Sequence, residues 1–166
     1  MKPLKEYTPQ ELLVHYTEVL SAMREREIIR SDNNPTGDLA EYLFCKAFNW
    51  LQAKNSEKSY DAVDSLEKRY QIKGRRITSR NKSRQLSAIR DFEGFDMLAV
   101  VLFKEDFSIQ RAALIPSNVA RDNSNYIAHT NSYRIMAPDT LFEKNNVEDV
   151  TSHLRFTMTE NMGKLL

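Results

Sequence analysis

Asp61, Gln71 and Lys73 sit where two short strands would bring them together. From Tyr60 to Arg76 the chain reads YDAVDSLEKRYQIKGRR. Asp61-Ala62-Val63 has the character of a short strand, and Ser65-Leu66-Glu67-Lys68 is polar enough to turn. Tyr70-Gln71-Ile72-Lys73 is a second strand, with β-favouring residues at its first and third positions. Side chains alternate across a strand, so Gln71 and Lys73 share one face while Tyr70 and Ile72 share the other. Pairing the strands sets a carboxylate, an amide oxygen and an ammonium along one sheet edge. A hard divalent cation takes oxygen ligands such as Asp61 and the Gln71 carbonyl. A lysine beside it can hold or deprotonate a water, or steady charge on a phosphate. A hairpin with a simply solvated polar face explains this stretch alone equally well; its two flanks favour chemistry.

Upstream, a helix is expected from about Thr36 to Ala53. Leu39, Ala40, Tyr42, Leu43, Phe44, Ala47, Phe48, Trp50 and Leu51 leave it little polar surface. Asp38 is an ordinary first-turn acid. Glu41 has Cys45 and Phe48 as its i+4 and i+7 neighbours, and a carboxylate in such surroundings needs a partner. A salt bridge to Arg75, Arg76 or another base is one answer. The nearby hairpin favours the other, a place for Glu41 at the same site as Asp61 and Lys73. Downstream, Lys68, Arg69, Lys73, Arg75, Arg76, Arg80, Lys82, Arg84 and Arg90 come with no Asp or Glu among them. Their Ser, Thr, Asn and Gln neighbours add donors suited to phosphate oxygens.

An acid on a helix, then Asp, then a strand ending in x-Lys, then a basic run: in this order the sequence resembles the PD-(D/E)xK nuclease superfamily, which has the restriction-endonuclease-like fold. The matching residues are Glu41, Asp61, Gln71 and Lys73, with the Asn34-Pro35-Thr36-Gly37-Asp38 lead-in and the Tyr60-Asp61-Ala62-Val63 start. The likeness spans residues 34 to 116. Tyr60 stands where the name-giving proline would be. Gln71 stands where Asp or Glu is usual, which removes one negative charge from the metal site. The resemblance implies a Mg²⁺ (or Mn²⁺) ion held by Asp61, the Gln71 carbonyl, Glu41 and the Ile72 backbone carbonyl. It also implies that Lys73 orients the attacking water, while Arg75, Arg76, Arg80, Lys82, Arg84 and Arg90 contact DNA.

At 166 residues the chain is about one domain, large enough for a real core. Its formal net charge of +1 conceals an asymmetry. With so many cations between residues 68 and 90, the remainder is acidic on balance, which suits a polyanion bound on one side. The lone Cys45 excludes an internal disulfide, and its apolar helical setting suggests a buried, reduced thiol. That fits a cytoplasmic protein. No apolar run follows Met1-Lys2-Pro3, so no signal peptide is expected, and no apolar stretch is long enough to span a membrane.

The remaining elements must carry this site. Thr8-Pro9-Gln10-Glu11 is a capping box, and Leu12, Leu13, Tyr16, Val19, Leu20 and Met23 recur at helical spacing to about Ile28. His15 on this helix reads as packing or a solvated edge. Residues 54–59 read as a polar loop, and Gly74 as a bulge or a point of close approach by a ligand. Residues 78–94 read as a flexible or partly helical loop. Phe95–Phe103 is apolar enough for a central strand buried on both faces, with Asp96 structural at its start. Phe107–Ile115 returns as a strand carrying Arg111, and Pro116–Ala120 starts a short helix. Asn123–Asn131, with His129, reads as loop, and Tyr133–Met136 as a last strand. Pro138–Glu143 and Val147–Leu154 read as short helices, and Met158–Leu166 as a loose tail.

The expectation is one α/β (α+β) domain with a restriction-endonuclease-like core and a central mixed sheet of four to five strands flanked by helices. Residues 1–33 are an N-terminal helix, 34–136 the core, and 137–166 the C-terminal helices and tail. The expected function is a metal-dependent endonuclease acting on DNA, in restriction or DNA defence, as a possible homodimer. The rivals are a non-catalytic DNA-binding module with a degenerate metal site, and a structural protein whose basic loop meets an acidic partner.

Overall fold

The computed structural model describes residues 2–54 and 59–163. Thr8 caps α1 (Pro9–Glu25) through a complete capping box: its side chain accepts from the Glu11 N–H, and the Glu11 carboxylate accepts from the Thr8 N–H. The apolar residues of α1 do not make the core face expected of them. Leu12, Leu13, Val14, Tyr16 and Val19 are 40–60% exposed, and only Leu20 is buried. α2 (Thr36–Phe48) is the buried helix. It stops at Asn49, whose φ of 54° is left-handed, so the helix ends before the expected Ala53.

The chain then forms β1 (Leu51–Gln52), β2 (Ala62–Val63), β3 (Arg69–Arg76), β4 (Met97–Phe103) and β5 (Ile109–Pro116). Next come α3 (Ser117–Asp122), β6 (Ser124–Ile127), β7 (Ser132–Ile135), α4 (Asp139–Phe142), β8 (Glu148–Asp149) and α5 (Thr151–Met162). The protein is a mixed α/β structure whose six-stranded sheet has the order β1-β2-β3-β4-β5-β8. All pairings are antiparallel except β3 with β4. The sheet exceeds the expected four to five strands because two-residue segments, β1 and β8, pair at its edges. Such short edges carry no periodic signal in sequence.

Alternation along β4 divides the core. Ala99, Val101 and Phe103 face Leu39, Leu43 and Phe44 of α2 and Leu154 of α5, together with Tyr70 and Ile72. Leu98, Val100 and Leu102 face the opposite layer, built from Leu86, Ile89, Phe92, Phe95, Ala120, Ile135 and Phe142. A parallel pair needs a long crossover, and here residues 77–96 supply it without a helix. This segment is not the loose loop expected: Leu86, Ile89 and Phe92 are buried, and bridges join Gln85 to Met136 and Ile89 to Tyr133.

Three further expectations change. Ser124–Ile127, read as loop, pairs with β7 as a separate two-stranded sheet. Glu148–Asp149, read as helix, is the edge strand β8. Met158–Met162, read as tail, belongs to α5, with Gly163 as its C-cap; the last three residues of that tail, 164–166, and most of the 54–59 loop lie outside the described residues. Gly74 is a point of close approach, but by α2 and not by a ligand. A Cβ there would meet the Thr36 carbonyl oxygen at 2.8 Å and the Ala40 Cβ at 2.9 Å.

Candidate active site

The β2–β3 register pairs Ala62 with Tyr70 and Val63 with Arg69, which sets Asp61 opposite Gln71. The turn between the strands is held by Asp64, whose Oδ1 accepts from the Leu66 and Lys68 N–H groups at 2.9 and 3.0 Å. Its other oxygen accepts the Tyr70 hydroxyl at 2.9 Å. Tyr70 is anchored again by stacking on Trp50, with ring centroids 3.6 Å apart. With the hairpin fixed at both ends, the Asp61 N–H donates to the Tyr70 carbonyl at 2.8 Å, and the Ile72 N–H donates to Asp61 Oδ2 at 2.6 Å. The Gln71 side-chain amide donates to the same Oδ2.

β2 covers β3 only at Arg69 and Tyr70. Beyond them, no strand among the described residues pairs with β3 on that side. A residue's N–H and C=O point the same way from a strand, so the Ile72 carbonyl lies on the edge where its N–H meets Asp61. Among the described residues, Asp61 Oδ1, the Ile72 carbonyl and Gln71 Oε1 are thus the oxygens left to a cation along this edge. The expectation for Gln71 is modified in one respect: its NH₂ faces Asp61, so the amide positions that carboxylate as well as offering its own oxygen.

Glu41 reaches the same place from α2. Its Oε2 accepts from Arg30 Nη2 at 2.7 Å and from Gln52 Nε2 at 2.8 Å, and its side chain is 19% exposed. The basic partner is therefore Arg30, not Arg75 or Arg76. Arg30 is itself placed by a 3.0 Å bond to the Ala53 carbonyl. Burial, and then the neighbouring Asp61 charge, hold the Glu41 carboxyl above the usual glutamate range. Burial also raises Asp61, against the pull of the Ile72 N–H, Lys73 and Gln71. Lys73 moves the other way: burial lowers its ammonium below the ordinary lysine value, and Asp61 and Glu41 resist that shift. Hydrogen bonds tie Gln71 and Ile72 to Asp61, and Glu41, Asp61 and Lys73 are near enough for their charges to act on one another, with pKa values displaced chiefly by burial; no salt bridge joins Lys73 to either carboxylate among the described residues. Groups displaced in this way occur at functional sites and also in structural ion-pair networks.

Among the described residues no three His, Cys, Asp or Glu side chains group as metal ligands. The cluster offers two carboxylates, an amide oxygen and a backbone carbonyl. That set fits Mg²⁺, which takes one or two carboxylates and keeps several of its waters, and does not fit a softer ion such as Zn²⁺. Burial pushes the Cys45 thiol up to about 12, so it is protonated at neutral pH and a poor nucleophile.

The basic residues divide into three kinds. Arg75 donates to the Ser83 carbonyl at 2.9 Å, and Arg76 donates twice to the Glu105 carbonyl while lying over the Phe107 ring. Neutral acceptors fix both guanidinium groups without cancelling their charge. Arg80, Lys82 and Arg90 are exposed, with no acid in salt-bridge reach among the described residues. Arg84 is different: Asp139 pairs with it at 2.9 Å, which weakens its assignment as a phosphate contact. Asp96 has the structural place expected of it, paired with Arg69 at 3.2 Å. His15 bonds to Glu18, and His129 lies in a short 3₁₀ turn; neither belongs to the cluster.

Arg30 and Gln52 are the site residues that sequence reading missed. Arg30 follows a helix end, Gln52 lies in a two-residue strand, and neither carries a spacing signal. No protein-family model matches this chain, and comparison with curated proteins likewise finds no match.

Proposed function

We propose that this chain is a Mg²⁺-dependent nuclease that hydrolyses DNA phosphodiester bonds, on a restriction-endonuclease-like core. The observation that carries the reading is the convergence of Asp61, Gln71 and Lys73 across one hairpin with Glu41 from the preceding helix. The order of elements supports it: an acid-bearing helix leads into an antiparallel β1-β2-β3 unit, and a parallel β4 follows.

Asp61 Oδ1, Glu41, the Ile72 carbonyl and Gln71 Oε1 would hold the metal, which when bound supplies a polarised phosphate and a more acidic water. The Ile72 N–H and the Gln71 amide fix the Asp61 carboxylate before substrate arrives, so little reorganisation is needed during reaction. Arg30 and Gln52 do the same for Glu41. Lys73, desolvated yet within electrostatic reach of two carboxylates, would orient a water and donate toward the charge that grows on the phosphate oxygens. Arg75, on the same face of β3 as Lys73, continues the positive charge, and Arg76, over Phe107 on the opposite face, is likewise locked but not neutralised.

A second reading has one observation in its favour. Because Gln71 turns its NH₂ to Asp61, the same geometry suits a DNA-binding module that has lost its metal. Calorimetric titration with Mn²⁺ separates the two. The nuclease reading expects one saturable site that disappears in Asp61→Ala; a flat titration favours the binding module.

A further inference from the structure

A cavity of about 1180 Å³ opens beside the Glu41 cluster, between the end of α1, α2 and the end of α5. Arg30 and Gln52, the two residues that hold Glu41, form its boundary with the candidate site. Its cations are Arg24, Arg26, Arg30 and Lys46, against the acids Glu27 and Glu160. Arg24 and Arg30 are engaged by Asp32 and Glu41. Arg26 and Lys46 are exposed, and no acid lies in salt-bridge reach of either among the described residues. Tyr42 lines the wall with the Lys46 ammonium 5.7 Å from its ring centroid. Trp50 shows only its edge, because Tyr70 and Phe48 occupy its faces.

The volume lies at or above the upper end for sites that enclose one small molecule. An aromatic wall, uncompensated cations and side-chain amides are the means by which proteins hold unpaired nucleic acid, through stacking and backbone attraction. Along its length a duplex exposes no base face for Tyr42 to meet. We propose that this cavity receives an unpaired segment of the nucleic-acid strand next to the Glu41 cluster, with Tyr42 stacking a base and Arg26 and Lys46 contacting phosphates. The site would make the protein selective for DNA with a single-stranded end or gap. This inference rests on the nuclease reading.

Trp50 is the only tryptophan in the chain and lines the cavity, so its fluorescence reports occupancy there; because it also stacks on Tyr70 of the hairpin, the Tyr42→Ala variant separates a cavity response from one at the hairpin. The experiment titrates the full chain, without metal, with an oligothymidylate of about ten nucleotides, within the usual site sizes for single strands. Parallel titrations use a blunt duplex and thymidine monophosphate, and anisotropy of labelled DNA reports total binding. The expected result is a saturable change in Trp50 emission with the oligothymidylate and none with the duplex. Tyr42→Ala should weaken single-strand binding roughly tenfold, the scale of one lost base stack. Arg26→Gln combined with Lys46→Gln, both on the surface, should weaken it at least as much and change duplex affinity far less.

If the oligothymidylate binds by anisotropy with no change at Trp50, and the variants bind as the parent does, the cavity is not the strand site, although the nuclease reading stands. A Trp50 response to thymidine monophosphate alone overturns the strand assignment in favour of a free nucleotide. Binding of neither DNA form removes the nuclease reading and this inference with it.

Discussion

The Asp61 carboxylate accepts the Ile72 N–H at 2.6 Å across the hairpin, using Oδ2 and leaving Oδ1 to other partners. One residue thereby closes the sheet edge and arms it. Removing the acceptor strands an N–H and an amide in a half-buried place, which costs about 1–3 kcal/mol. Asp61→Ala should therefore lower stability to urea by that amount and abolish Mn²⁺ binding. Asp61→Asn keeps a carbonyl acceptor for Ile72, so it should recover most of the stability without restoring metal affinity. Equal stability of the two variants would show that the Ile72 bond contributes little.

Glu41 should make stability depend on pH in a particular direction. Its carboxyl lies above the ordinary range in the folded state, chiefly through burial. The folded protein therefore holds this proton more readily than the unfolded chain. The contribution of Glu41 to stability falls as pH rises from the ordinary glutamate value through the raised one. Glu41→Gln removes this titration. The Tm of the variant minus that of the parent should increase with pH across the acid range and then level off. A difference that is flat from pH 4 to pH 7 would contradict the placement of Glu41.

Gly74 should tolerate no side chain, for steric reasons rather than conformational ones. A Cβ there meets the Thr36 carbonyl oxygen and the Ala40 Cβ below 3 Å, both on the helix that carries Glu41. Gly74→Ala should cost about 1–3 kcal/mol by overpacking and should misplace Glu41. Gly37, on the same helix, has nothing within 4 Å of its Cβ position. Gly37→Ala should be neutral or stabilising by about 0.5 kcal/mol. Urea unfolding of the pair tests this; equal effects would refute the packing argument.

The hairpin was legible because everything it needs is local. Strand alternation puts Gln71 and Lys73 on one face, and the short turn forces Asp61 opposite Gln71. Glu41 was legible from the apolar residues one and two turns further along α2. The partners of Glu41 were not, because Arg30 and Gln52 arrive through tertiary approach and not through any period. The crossover was misread for a related reason. Leu86, Ile89 and Phe92 lie among so many polar residues that their burial depends on β7 and the sheet above them. In α1 the opposite holds: the apolar spacing forms the expected helix, yet the fold of one chain covers only Leu20.

The positive face should show in the salt dependence of duplex binding. Arg80 and Lys82 have no acid in salt-bridge reach among the described residues, whereas Arg84 is paired with Asp139. Replacing Arg80 and Lys82 together with Ala should make the slope of log K against log salt less negative by roughly 2, one counterion for each lost phosphate contact. Arg84→Ala should change it by less than either residue's share. A larger effect from Arg84 than from the pair would move the DNA track toward Asp139.

The central claim is that the hairpin cluster hydrolyses DNA, and Lys73 tests it most directly. It is one cation among many for affinity, but it is buried close enough to Asp61 and Glu41 for both to resist the lowering of its ammonium. The measurement is conversion of supercoiled plasmid to nicked and linear forms with Mn²⁺ and with EDTA, by the parent and by Lys73→Ala, with DNA affinity measured alongside. The predicted result is cutting by the parent with metal, none in EDTA, and a loss of about 10²–10⁴-fold in Lys73→Ala at nearly unchanged affinity. A parent that binds DNA but never cuts it, with a Gln71→Glu variant that also never cuts, would contradict the account.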